Sequence, residues 1–250
     1  MEDVTLQLIG VGFPRTGTDS IRVALDRLGM RCYHMREVLD LRNRGHLDFW
    51  CSVAKRPSDR EHEWETVYSS YRAAVDAPTA CVWRQLVDGY PSAKVLLSLH
   101  PDGPDAWFDS TVETIYAPER MWQWKALQAL WPRARRFGDM QRLLVWDGLF
   151  EGTLDDRIAA TRLYTRHIAE VKARVPADRL LVYDVSHGWG PLCDLLDLPK
   201  PEAPFPRVNS RAAMRRIIRR WQVGVPAAMA LVLVLGVVLL WALASSVAAG

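Results

Sequence analysis

Apolar and polar positions fall into blocks along the chain. Leu6-Gln7-Leu8-Ile9-Gly10-Val11 is a mostly apolar run of strand length, and Lys94–Leu99 and Arg179–Tyr183 are two more. Between them, apolar residues recur at helical spacing. Ile21, Ala24, Leu25 and Leu28 put one apolar face on a helix over Thr18–Leu28, which Gly29 ends. Met30–Met35 reads as a short extended return, and Arg36–Leu41, Leu47–Ala54 and Glu61–Ala74 as helices. Asp76-Ala77-Pro78 is a turn, with room for a short strand at Val75 just before it. Ala80–Gly89, Ala106–Ile115, Pro118–Leu130, Asp155–Val175 and Trp189–Leu195 complete the helical set, and Ala134–Leu149 fits no single period. Strands that alternate with helices predict a mainly parallel sheet covered on both faces, a three-layer α/β/α domain. Ligands of such sheets sit beyond the carboxyl ends of the strands, where Gly12–Ser20, Asp76 and His100 emerge.

The last block differs. No charged residue occurs from Val223 to Val247, a length that would cross a bilayer as a helix. Trp221 and Trp241 would lie near the two interfaces. Just before it, Arg207, Arg211, Arg215, Arg216, Arg219 and Arg220 form a cluster without an acid. The expected organisation is an α/β domain over 1–208, a basic juxtamembrane helix over 209–222 and a transmembrane helix over 223–247. By the positive-inside rule this is a single-pass C-terminal anchor with the large domain cytoplasmic. The arginines serve either as a binding site for anionic lipid headgroups or as a generic flank of the span.

Composition narrows the function. Of 250 residues, 32 are basic and 29 acidic, a net charge of +3 that the arginine cluster alone creates. Without those six, 26 basic residues face 29 acidic ones, which argues against a nucleic-acid-binding body. Cys32, Cys51, Cys81 and Cys193 are scattered, with no Cys-x-x-Cys and no zinc-like spacing, so no metal is expected.

The chemistry concentrates in Gly12-Phe13-Pro14-Arg15-Thr16-Gly17-Thr18-Asp19-Ser20. A buried strand, a glycine-framed loop and a helix start together make an anion site from backbone N–H groups and a helix N-terminus. Gly12 to Gly17 has Walker A spacing, but Thr18 stands where the lysine belongs, which disfavours a kinase or NTPase. Arg15 supplies the positive charge instead.

Pro14-Arg15-Thr16-Gly17-Thr18-Asp19-Ser20 resembles the 5′-phosphosulfate loop of sulfotransferases that use 3′-phosphoadenosine 5′-phosphosulfate (PAPS), in the bacterial and fungal branch. Asp76-Ala77-Pro78 with Tyr90–Ser98, Trp107-Phe108-Asp109-Ser110, Gly188–Cys193 and Pro204–Asn209 extend the resemblance over nearly all of residues 5–210. It implies a P-loop-like fold, no metal, and sulfuryl transfer to a hydroxyl or amine of a small-molecule or lipid-like acceptor. It also implies that Pro14 to Ser20 hold the 5′-phosphosulfate and that Ser110 serves the 3′-phosphate. One departure stands out. The family's usual arginine after the second clear strand is replaced by His100, a weaker anion ligand when neutral. That leaves open a catalytically impaired nucleotide-binding or scaffold protein. Arg15 is the candidate for charge stabilisation in transfer. Asp76 is the candidate general base, with an ordinary turn aspartate as the alternative, and His34 is a second candidate at the acceptor.

Overall fold

Five parallel strands run through the centre of the molecule in the order β2–β3–β1–β4–β5: β1 Leu8–Gly10, β2 Cys32–Tyr33, β3 Ala73–Ala74, β4 Lys94–Ser98 and β5 Leu180–Tyr183. The computed structural model describes residues 6–57, 62–208, 211–216 and 218–227. Leu8 lies opposite Ala73 on one side and Lys94 on the other, and Val95 opposite Leu180. β1 is buried throughout, which is why its run shows no polar alternation.

Successive residues still point to opposite faces. Leu8 and Leu96 face a core made with Ile21 and Leu25 of α1 (Thr18–Arg27) and Trp189 and Leu192 of α10 (Trp189–Leu196). Ile9, Val95 and Leu97 face the larger core. There they meet Trp50 of α3 (Arg44–Lys55), Trp83 of α5 (Trp83–Gly89), Trp107 of α6 (Gly103–Glu113) and Tyr164 of α9 (Arg157–Arg174). Helices therefore cover both faces, as the alternation of elements predicts. The chain fills one side of β1 with β3 and β2 and the other with β4 and β5. The loop after β1 thus opens where the strand order reverses, the usual ligand crevice of such sheets.

Two expectations need correction, and one stretch without a clear period takes shape. The helix expected over Glu61–Ala74 shrinks to α4 (Glu65–Tyr68), because the sheet captures the backbone after it. Arg72 N–H and Ala73 N–H donate to Arg31 O, and Val75 N–H donates to Tyr33 O. The undecided stretch Ala134–Leu149 is helical: α8 (Pro132–Gln141), after α7 (Trp122–Leu130), passes into a π-helical turn over Arg142–Leu149. The second correction concerns the chain's end. Residues 211–216 and 218–227 are helical, but among the described residues no helix is long and apolar enough to cross a membrane. The expected transmembrane helix is therefore not supported. Its described beginning, 223–227, continues a stretch that carries Arg211, Arg215, Arg216, Arg219 and Arg220, too charged for a bilayer interior. The rest of the proposed span, 228–247, lies outside the described residues. The helical stretch that was expected beside a membrane packs on the α/β domain: Arg211 forks onto both oxygens of Glu113 on α6, at 2.8 and 2.5 Å, and Arg215 lies 3.4 Å from the same carboxylate.

Candidate functional site

The loop after β1 is shaped by close approach. A Cβ at Gly12 would collide with Ser98 at the end of β4, and a Cβ at Gly17 with Val185 Cγ1. Gly17 also sits at φ +86°, where L side chains are strained. As N-cap of α1 it offers no side chain, so the first-turn amides are left for a ligand. Arg15 is itself left-handed at φ +72°, an uncommon state for a residue with a Cβ and one that marks functional loops.

The loop opens into a cavity of about 1060 Å³. Pro14, Arg15, Gly17, Thr18, Asp19, Ser20, His34, Asp76, His100 and Ser110 all line it. The expected site residues therefore converge, with one exception. Thr16 is fully buried beneath the loop, where its hydroxyl donates to Phe13 O at 2.7 Å and lies 2.6 Å from Ser98 Oγ. Its side chain braces the loop and leaves only backbone for a ligand. Pro14 O accepts the indole N–H of Trp107 at 3.0 Å, which ties α6 to the loop. Arg15 Nε donates to Ser110 Oγ at 3.1 Å, so the loop's cation and the α6 serine share one position. Burial lowers the Arg15 pKa from its ordinary value, while Asp76 and Asp19 work against that.

Asp19 is already neutralised. Its carboxylate accepts two bonds from Arg36, at 2.9 and 2.5 Å, and lies 3.2 Å from Arg22. An acid in the first turn of an anion-binding helix therefore brings little repulsion. Ser20 Oγ accepts Val208 N–H at 3.0 Å, which fastens the C-terminal segment to α1.

On the opposite wall Asp76 follows β3 at φ +70° and is almost completely buried. Thr18 donates its hydroxyl to Asp76 Oδ1 at 3.0 Å, and His34 Nε2 lies 3.3 Å from Oδ2 without the alignment of a hydrogen bond. Arg36 N–H donates to His34 Nδ1 at 3.3 Å. That contact leaves the single proton of a neutral ring on Nε2, facing Asp76. Burial pushes the Asp76 carboxyl up and the His34 imidazole down, each partly offset by the other. An aspartate so held, its carboxyl pushed above the ordinary range by burial, is placed to exchange a proton with a group in the cavity.

His100 lies at the third edge. Its backbone N–H donates to Tyr164 Oη at 2.9 Å, and its ring Nδ1 accepts the Asp102 backbone N–H at 3.2 Å. Burial lowers its pKa, Asp102 works against that, and Arg15 and Arg211 add to it. The imidazole is therefore neutral at physiological pH. Arg211 lines the same cavity, near enough to Arg15 and His100 to act on both electrostatically. Sequence reasoning placed Arg211 beside a membrane. The available signal was helical spacing: Met214, Ile218 and Trp221 form an apolar stripe that starts at Arg211, and all four line the cavity. Arg36, the partner of Asp19, was also missed. Two charges separated by 17 residues give no local pattern.

Among the described residues no group of histidines, cysteines or acids could hold a metal ion. Residues 7–214 match a family model described as a sulfotransferase domain. Ava biosynthesis cluster protein M of Aspergillus versicolor is 28% identical over 240 residues, with 87% of this chain and 88% of that protein covered.

Proposed function

Because the chain belongs to the sulfotransferase domain family, we propose that it moves a sulfuryl group from PAPS to the hydroxyl of a small-molecule acceptor. The observation that carries this reading is the convergence of an uncapped helix N-terminus, Arg15 and a buried Asp76 on one cavity. PAPS supplies a sulfuryl group already activated by a phosphate leaving group.

The residues fit such a donor. The glycines let the loop pack closely against Ser98 and Val185, and the α1 amides with the Ser20 hydroxyl surround the 5′ end. Arg15 stabilises the charge that grows on the bridging and phosphate oxygens as the sulfur–oxygen bond to the nucleotide breaks. Ser110, His100 and Arg211 receive the 3′-phosphate, with the Arg211 guanidinium supplying the charge that a neutral His100 does not. Asp76 takes the proton of the acceptor hydroxyl as its oxygen bonds to sulfur, and the electron pair of the broken bond stays with the 5′-phosphate. Thr18 holds Asp76 Oδ1 by its hydrogen bond, and the His34 ring lies 3.3 Å from Oδ2.

Calorimetric titration of the full chain with adenosine 3′,5′-bisphosphate tests the donor. Saturable binding that weakens tenfold or more in Arg15→Ala is expected. A folded chain that does not bind the bisphosphate rejects PAPS as donor. Binding without transfer to any acceptor would favour a non-catalytic nucleotide-binding protein.

A further inference from the structure

Beyond the anion loop the cavity changes character. Val38 and Leu39 of α2 (Met35–Leu39), Trp124 and Leu127 of α7, and Ile218 and Trp221 of the C-terminal helical segment form three apolar walls. The charged side chains on these walls are already engaged by the protein. Arg36 is paired with Asp19, Glu119 accepts the indole N–H of Trp124 at 3.1 Å, and Arg133 donates to Val38 O at 3.2 Å. At the mouth, Leu39, Leu41, Trp131 and Trp221 line the cavity while remaining 42–57% exposed. Exposed large apolar side chains gathered at a cavity mouth mark a ligand surface. The total volume of about 1060 Å³ lies at the top of the range of about 300–1,000 Å³ for small-molecule sites, enough for a nucleotide and a second bulky ligand.

We propose that the acceptor is a bulky, uncharged, ring-based apolar molecule with one reacting hydroxyl, and that the C-terminal helical segment forms one wall of its site. This rests on the sulfuryl-transfer reading above. Flat indole walls favour rings over flexible chains, since rings stack with little entropy to lose. A hydroxyl suits these walls better than an aliphatic amine, because an ammonium ion would be largely desolvated on entering between them. The hydroxyl oxygen bonds to sulfur, its proton goes to Asp76, and the bond from sulfur to the 5′-phosphate oxygen breaks with its electron pair on phosphate. An acid–base pair at the cavity floor and an apolar enclosure above it therefore describe one substrate: a hydrocarbon ring system entering hydroxyl first.

The test uses the full chain with 1-hydroxypyrene as probe, dodecanol and glucosamine as contrasts, and bisphosphate binding as a separate readout. Fluorescence titration is expected to show saturable hydroxypyrene binding, weakened at least tenfold in Ile218→Glu and in Leu41→Glu, with bisphosphate affinity kept within twofold. With PAPS present, hydroxypyrene should be sulfated faster than dodecanol, and glucosamine not at all. Absent hydroxypyrene binding, binding indifferent to both variants, or preferential sulfation of glucosamine or dodecanol would overturn the proposal. If hydroxypyrene binds as expected but the bisphosphate does not, the donor reading fails and the apolar ligand class stands.

Discussion

Asp76 shows how a single side chain can be costly to the fold and useful to the chemistry. Burial raises its pKa above the carboxylate norm, so folding favours the protonated form. The stability it contributes is complete below the unfolded pKa of about 3.9 and is lost as pH rises through the folded value. Asp76→Asn, which keeps the left-handed backbone acceptable, is therefore expected to raise the melting temperature at pH 7.5 while slowing transfer by about 10²–10⁴-fold. Calorimetry alongside a transfer assay reads both. Wild-type rate should fall on the acid side at a pH above the ordinary carboxylate pKa, and an acid limb at or below about 3.9 would remove Asp76 as base. For Arg15→Ala the expectation is a loss of about 10²–10³-fold in turnover with circular dichroism unchanged. The positions of Arg15 and Asp76 on the cavity were legible in the sequence because each stands at a turn that follows a strand. The His34–Asp76 contact was not, since 42 residues separate the two and only the pairing of β2 with β3 brings them together.

At the scale of elements, the unit formed by β1, its loop and α1 is the best-specified part of the chain. Apolar runs announced β1, β4 and β5, whereas β2 and β3, two residues each, are too short to show any period. Support for the loop comes from elements distant in sequence. His167 on α9 lies 2.7 Å from Val11 O through Nε2 and stacks on Phe13 at 4.2 Å between ring centroids. Burial pushes its pKa down to about 4. A histidine held neutral in the fold contributes stability that is complete above its unfolded pKa of about 6.5 and is lost as pH falls through the folded value. Acid should thus weaken the domain between about pH 6.5 and 4, by up to roughly 3 kcal/mol from this group. Urea melts at stepped pH would show it, and a His167→Gln variant should lose that part of the slope. Trp107 braces the loop from the other side. Trp107→Phe removes its bond to Pro14 O and should cost about 1–3 kcal/mol, because a buried carbonyl loses its donor. An unchanged denaturation midpoint would show that the carbonyl finds another partner.

The whole molecule is where sequence reasoning reached least far. The α/β/α layering followed from the alternation of strands and helices, but the arginine-rich end was read by composition alone. Six arginines before an uncharged run look like a membrane flank. Composition does not reveal that Glu113, on a helix a hundred residues earlier, presents its carboxylate to Arg211 and Arg215. The tertiary ion pairs place this stretch over the cavity, and they are themselves half-exposed. Glu113→Gln should therefore change global stability by no more than about 1 kcal/mol. Its larger effect should be on the Michaelis constant for the donor, since Arg211 would lose its support beside His100. A variant with wild-type donor affinity would show that the Glu113 fork does not position Arg211.

The bond between Ser20 and Val208 links the first helix of the domain to the segment that leads into its last wall, 188 residues away. A nucleotide settling on α1 steadies Ser20, and through it the approach to Ile218 and Trp221. Donor and acceptor should accordingly reinforce one another, the acceptor binding the bare chain and binding it more tightly once the donor is seated. In titrations the affinity for hydroxypyrene would rise when the bisphosphate is present, and Ser20→Ala would remove that rise.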